Sequence, residues 1–402
     1  MIFDKKFLIN TLLIFFIIYD ISFIRFPGLT SGRIAFFIIL LRFLVHYNRI
    51  KFDKKTIYFL LFLLLLFLFS IIQYLNSLDF TQSSRILWFS IYSVLTPFLM
   101  KNYFSGLKDF LFSFLLATSV QSLITINSFI SPGFKQNILN YIVIGGNDIE
   151  NSVYRAIGFT STSGAALSVV QFCGVFCGLI LLKYSNLTFF KSTLVWVSVL
   201  VCLLSTFIIG RTGLICSLVS IFIFFLSTIS FKKIMFFLIT IIFINQINFI
   251  DILENQTQNI AGFKIDFYLN WIEDGLTIGD NNTVKAIQDM PIPSLSIRTI
   301  LGTGEVFNPN TMKNASGNDC GYIQTYYSLG LVLAFLFYVG YFVFLFTKSK
   351  YNNLFIFNYL IVLMFIIEMK EPFIFKYVFP FFVLSLMLIS NKKVKETKQF
   401  CV

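Results

Sequence analysis

Residues 56–72, TIYFLLFLLLLFLFSII, carry no charged side chain, and the chain holds many further runs of this kind. A helix needs about twenty apolar residues to cross the hydrocarbon of a bilayer, so such runs are read as transmembrane helices. A membrane β-barrel would show short segments of alternating polarity, and these runs do not alternate. Composition agrees: 57% of the 402 residues are hydrophobic, 12% are charged, and the mean hydropathy is +0.82. The expected fold is an all-α integral membrane protein, one polytopic unit over residues 1–402. The first run, from Phe7 to Ile24, follows Lys5 and Lys6 and lacks a small-residue cleavage site, which marks a retained span.

A net charge of +12 raises the question of nucleic acid, but the positions of the charges answer it. Lysines and arginines cluster in short segments between apolar runs, as cytoplasmic loops do. The spacing predicts about twelve spans, at 7–24, 33–47, 57–75, 86–100, 109–130, 163–182, 192–209, 213–231, 233–250, 319–346, 354–369 and 373–390. With both termini cytoplasmic, the inside segments collect more than half of the 31 basic residues. Of the 19 acids they take only Asp4, Asp53, Asp109 and Glu396. Two outside segments are long: 131–162, and a larger loop at 251–318 between spans 9 and 10. Within the larger loop, IDFYLNWIEDGL (265–276) has the periodicity of a helix, either lying on the membrane surface or packed in the loop. Cys173 and Cys177 share a helix face and read as small buried thiols rather than metal ligands. No internal repeat is evident.

The stretch IIGRTGLI (208–215) sets a permanent cation between two apolar runs. Lys183 and Lys191 precede the pair of runs, and Lys232 and Lys233 follow it, so an even number of crossings must lie between. Two helices joined by a turn at Gly210–Gly213 satisfy this and bring Arg211 to the outer face. There it is either an arginine snorkelling to headgroups or a phosphate clamp, for which a guanidinium fork is suited. Two more outer arginines lie in glycine-rich sequence: Arg155 in YRAIGFTSTSGAA, and Arg298 in SIRTILGTGEVFNP beside Gly302 and Gly304. Together the three suggest a polyanion site at the membrane surface, although the glycines also serve as ordinary turn punctuation.

In YRAIGFTSTSGAA (154–166), GRTG (210–213), RTILG (298–302), DCGYIQTYYSLGL (319–331) and KEPF (370–373), the chain resembles the O-antigen polymerase (Wzy-like) family of the O-antigen ligase and polymerase superfamily. The resemblance implies a glycosyltransferase at the periplasmic face of a bacterial inner membrane. It would join repeat units carried on undecaprenyl pyrophosphate, with no metal and no cofactor. Implied partners are those lipid-linked glycans, membrane lipids and a chain-length regulator protein, with no nucleic acid. Arg211 and Arg298 match the superfamily's functional arginines, and Arg155 is a third candidate for the lipid pyrophosphate. A charge at the leaving group would supply electrostatic stabilisation.

A base must also take the proton of the acceptor hydroxyl. The ligase branch of the superfamily carries a histidine in its large outer loop, whereas the single histidine here, His46, falls at the cytoplasmic end of the second span. This favours polymerase over ligase and leaves Asp319, Glu305 and Tyr322 as candidates, with Asp319 equally suited to be a helix N-cap. Lys370 and Glu371 read as an interfacial ion pair or as part of the lipid-phosphate site, and Lys370 with Tyr322 joins the substrate-binding set. A flippase for glycan units would carry charges along a central path, and only Arg42 and Glu368 lie deep. A purely structural membrane partner would leave the three outer arginines unexplained.

Overall fold

The computed structural model describes residues 4–26, 28–45, 52–144, 156–228, 290–308, 314–349 and 354–399. Among these the chain is helical throughout, with no strand. The helices are α1 (Lys5–Tyr19), α2 (Ser31–Val45), α3 (Lys54–Ser77), α4 (Thr81–Trp88), α5 (Thr96–Met100), α6 (Leu107–Ile130), α7 (Pro132–Leu139), α8 (Gly164–Tyr184), α9 (Phe189–Ile209) and α10 (Arg211–Thr228). They continue with α11 (Ile297–Leu301), α12 (Gly321–Leu329), α13 (Leu331–Ser349), α14 (Leu354–Ile367) and α15 (Val378–Gln399). A π-helical segment, Phe89–Leu95, joins α4 to α5. Five of the described helices (α3, α6, α8, α9 and α13) are long and apolar enough to cross a membrane. The chain divides into two compact units, Met1–Ile221 with Pro293–Val402, and Phe222–Ile292. The expected span 233–250, the helix at 265–276, His46 and Arg155 lie outside the described residues.

Helix α8 is the core of the first unit, with 89% of its most apolar window buried. Small residues let its neighbours approach: a Cβ on Gly174 would meet Thr118 Oγ1 at 2.2 Å, and one on Gly178 would meet Val199 Cγ2 at 2.1 Å. Between apolar helices this close approach is the main source of packing energy. The Ser122 hydroxyl of α6 also donates to Gln171 Oε1 of α8 at 2.8 Å. Such interhelical bonds contribute about 0.6 kcal/mol each in a membrane setting. Cys173 and Cys177 are buried free thiols on this helix, as their position among apolar residues suggests.

Elsewhere one stripe of each helix packs and the other is left apolar and exposed. On α3 the stripe Phe59, Leu63, Leu66, Ser70 and Gln73 is buried, while Leu61, Leu64, Leu65, Leu68 and Ile72 are at least half exposed. Leucines in that position need a hydrocarbon surround, because water would oppose so continuous an apolar surface.

The packing register also reads out the chain's reversals. Gly210 lies against Gly164 and Ser168, Gly174 against Cys202, and Gly178 against Val195 and Val199, so α9 runs antiparallel to α8. Beyond Gly210 the chain turns back. Gly213 rests on Ser168, and the Ser220 hydroxyl meets the Tyr359 hydroxyl, whose ring stacks on Phe176 further along α8. The hairpin expected around Arg211 is therefore present, but its turn is shorter than the four residues 210–213. Gly210 alone, extended at φ −177 and ψ 144, reverses the chain, and Arg211 is already the first residue of α10.

Three of the expected spans differ. The span 319–346 is two helices, broken at Gly330 with φ +94, where a Cβ would come within 2.5 Å of the Ile300 carbonyl oxygen. The helix expected from residue 86 starts at Thr81, and the last span starts at Val378 after turns over 368–377. Segment 131–162, expected as loop, opens with the short helix α7, whose N-cap Ser131 accepts from the Phe134 amide.

Candidate functional site

One end of the first unit gathers the turns at 20–31, 78–80, 156–163, 210, 301–307 and 368–377. Asp20 Oδ1 accepts from the Gly32 amide, and the Ser161 hydroxyl donates to the Asp20 carbonyl at 2.7 Å. The opposite end carries Lys348 with Asp53 and Thr56, and Asn391 donating to the Lys348 carbonyl. The described site candidates Arg211, Arg298, Glu305, Asp319, Tyr322 and Lys370 belong to the first of these ends.

There α10 begins on the first turns of α8. The Gly213 amide donates to Ser168 Oγ at 3.1 Å, and a Cβ on Gly213 would meet the Ser168 carbonyl oxygen at 2.1 Å, so only glycine permits this seat. Arg211, half-buried, opens the helix. Beside it Thr212 Oγ1 accepts from Lys370 Nζ at 2.9 Å. Two of the residues assigned to the lipid-phosphate site, Arg211 and Lys370, are thus brought to one locus with the N-terminal turns of α8 and α10. A helix start concentrates unpaired amide N–H groups and favours anions. The Lys370–Glu371 ion pair does not form: Glu371 pairs with Lys376 instead. Adjacent side chains in a turn point apart, and Lys376 lies one turn onward.

Arg298 pairs with Glu305 at 2.9 Å, with side chains 68% and 22% exposed. It sits on α11, held by a reciprocal Ser296–Thr299 capping box. The following loop is pinned to α3 and the α3–α4 turn. Gln73 Nε2 donates to the Leu301 carbonyl at 2.8 Å, and Asp79 Oδ2 accepts the Val306 and Phe307 amides at 2.7 and 2.9 Å. Burial raises the Asp79 carboxyl, but bonds from the Thr81 hydroxyl and the Phe307, Val306 and Thr81 amides outweigh it and hold the group below the usual carboxylate range.

The three base candidates separate. Glu305 is held by Arg298. The Tyr322 hydroxyl donates to the Phe365 carbonyl at 2.7 Å, which ties α12 to α14. Asp319 is exposed and is not the N-cap: Cys320 occupies that position without capping through its side chain, its amide taken by Asn318 Oδ1 at 2.9 Å.

Sequence reasoning missed Arg85 and undervalued Glu368. Glu368 is fully buried, with Oε1 accepting the Tyr338 hydroxyl at 2.8 Å and Oε2 the Ile374 amide at 2.7 Å. Arg85 donates to Gln324 Oε1 at 3.3 Å and lines a cavity of about 370 Å³ with Phe80, Thr81, Ser84, Trp88, Phe375 and Tyr377. The available signal was TQSSR (81–85), a polar stretch leading into an apolar run without a turn residue. No protein-family model matches the chain, and neither does any curated protein or solved structure.

Proposed function

We propose that the chain is an O-antigen polymerase. It would act in a bacterial inner membrane with the Arg211 end facing the periplasm, joining repeat units carried on undecaprenyl pyrophosphate. The observation that carries this reading is the Lys370–Thr212 bond, which sets a second cation on the residue next to Arg211 at the start of α10. In the reaction an acceptor-sugar oxygen bonds to the anomeric carbon of the donor glycan, and the bond from that carbon to the pyrophosphate breaks. The acceptor's proton passes to a base, and the lipid pyrophosphate leaves with its charge increased. Fixed cations at that charge lower the barrier, and loss of one such donor typically costs about a hundredfold or more in rate.

Arg211 and Lys370 would hold the pyrophosphate. Arg298, mostly exposed and paired with Glu305, would meet the second lipid-linked substrate or exchange its partner on binding. Asp319 is the candidate base whose carboxylate is exposed. A flippase reading gains nothing from the deep charges. Arg42 donates to Asn10 and lies over Tyr103, and Glu368 is bonded by Tyr338 and Ile374.

The test is the surface glycan of a strain deleted for this chain and complemented with variants. The wild-type chain should restore a full ladder, and Arg211→Ala, inserted at equal level, should leave single repeat units on lipid A. A full ladder from Arg211→Ala refutes the clamp. A deletion strain with no glycan on lipid A would indicate a ligase, and one with the unit trapped inside would indicate a flippase.

A further inference from the structure

The cavity between the first turns of α4 and the 373–377 turn holds a cation with no carboxylate in contact. Among the described residues no carboxylate oxygen lies within ion-pair distance of Arg85, whose one hydrogen bond is to the neutral Gln324 and whose guanidinium lies 6.0 Å over the Phe307 ring. Glu368 and Asp79 attract Arg85 only through space, because their oxygens are bonded elsewhere: Glu368 with Tyr338 and the Ile374 amide, Asp79 with Thr81 and the 306–307 amides. A cation drawn partly out of water with only a neutral partner in contact is costly, and a ligand anion relieves that cost. Next to Arg85, the Ser84 hydroxyl bonds no protein group among the described residues and faces the same cavity.

The rest of the wall is aromatic. Trp88 already carries Arg33 over its ring and stacks on Tyr92, so it offers an edge, while Phe80 is half exposed. The volume, about 370 Å³, is at the lower end of the size of small-ligand sites. A guanidinium, free hydroxyl and apolar rims in so small a space match a sugar ring bearing an oxyanion better than a bare ion or a lipid tail.

We propose that this cavity binds an anionic sugar, with its phosphate or carboxylate on Arg85 and Ser84 and its ring against Phe80 and the edges of Trp88 and Phe375. Its use as a glycan subsite of the polymerase rests on the function proposed above; the binding itself does not.

The experiment uses the full-length chain in lipid nanodiscs and follows tryptophan fluorescence and thermal unfolding during titration with glucose 1-phosphate, glucuronate, glucose and inorganic phosphate. At least one anionic sugar should bind saturably, at least tenfold tighter than glucose and than inorganic phosphate. The two anionic probes distinguish a phosphate from a carboxylate source. Arg85→Met should weaken that sugar at least tenfold, and Arg85→Lys should recover part of the loss. Should Arg85→Met fail to fold, Ser84→Leu, which fills the cavity and keeps the charge, carries the test with the same expected loss. Absence of binding by the wild-type chain, equal affinity for glucose or inorganic phosphate, or unchanged binding in both folded variants overturns the proposal. Gly133→Ala on α7, where nothing lies within 4 Å, should bind the sugar normally. Binding through Arg85 by a chain that fails to restore a glycan ladder would refute the polymerase reading alone.

Discussion

Replacing Lys370 with methionine keeps most of the side-chain length and removes the charge, which separates two roles that its bond to Thr212 allows. If Lys370 holds the pyrophosphate, the variant loses a charge-assisted contact, and such contacts contribute about 1.5–3 kcal/mol. With about 1.4 kcal/mol per factor of ten, the rate should fall about 10- to 150-fold. If Lys370 only ties the 368–377 turn to α10, the same damage follows from removing its acceptor. Thr212→Val does that at nearly constant volume in a site only 9% exposed. The bond lost there is worth at most the low end of the same range, about 1.5 kcal/mol or about tenfold in rate. The phosphate role therefore predicts Lys370→Met below Thr212→Val, with Lys370→Arg restored to within tenfold of wild type. The assay is single-turnover formation of the dimeric glycan from lipid-linked repeat units by the purified chain in proteoliposomes. Wild-type rates for Lys370→Met, or equal losses for Lys370→Met and Thr212→Val, refute the reasoning.

Gly213→Ala should destabilise the chain by about 1–3 kcal/mol, because its Cβ would meet the Ser168 carbonyl oxygen at 2.1 Å and neither backbone yields easily. Gly133→Ala on α7, where nothing lies within 4 Å, is the matched control and should leave the detergent melting temperature unchanged. Asp79 predicts an acid-sensitive anchor. Its folded carboxyl titrates below the ordinary range, so its contribution is complete above the unfolded value, about 3.9, and is lost as pH falls through the folded one. Melting curves between neutral pH and about pH 3 should fall more steeply for wild type than for Asp79→Asn, which should start lower and stay flatter. Parallel curves would sink this account.

The parts of this end that were legible in the sequence are those fixed by parity and polarity along the chain. Lys183, Lys191, Lys232 and Lys233 require an even number of crossings around Arg211, and the hairpin follows without any knowledge of packing. What α10 packs against was not legible. Thr212 and Lys370 are 158 residues apart, and nothing near either residue encodes their meeting. Adjacency even misled: KE at 370–371 looks like a pair, yet the turn directs Glu371 to Lys376. The break at Gly330 was hidden for the same reason, since the backbone that excludes a side chain there belongs to Ile300–Gly302. Arg85 was lost differently. Its helix starts at Thr81, one turn before the apolar run, so TQSSR read as connecting loop rather than as the polar first turns of a buried helix. Hydropathy marks a span where the chain meets lipid, and it falls where the chain meets a polar cavity. A reading based on apolar runs therefore trims a helix at the residues that line a site, and Arg85 was trimmed in this way. The polar residues just outside each predicted span at the Arg211 end are accordingly where further ligand contacts should be sought by substitution.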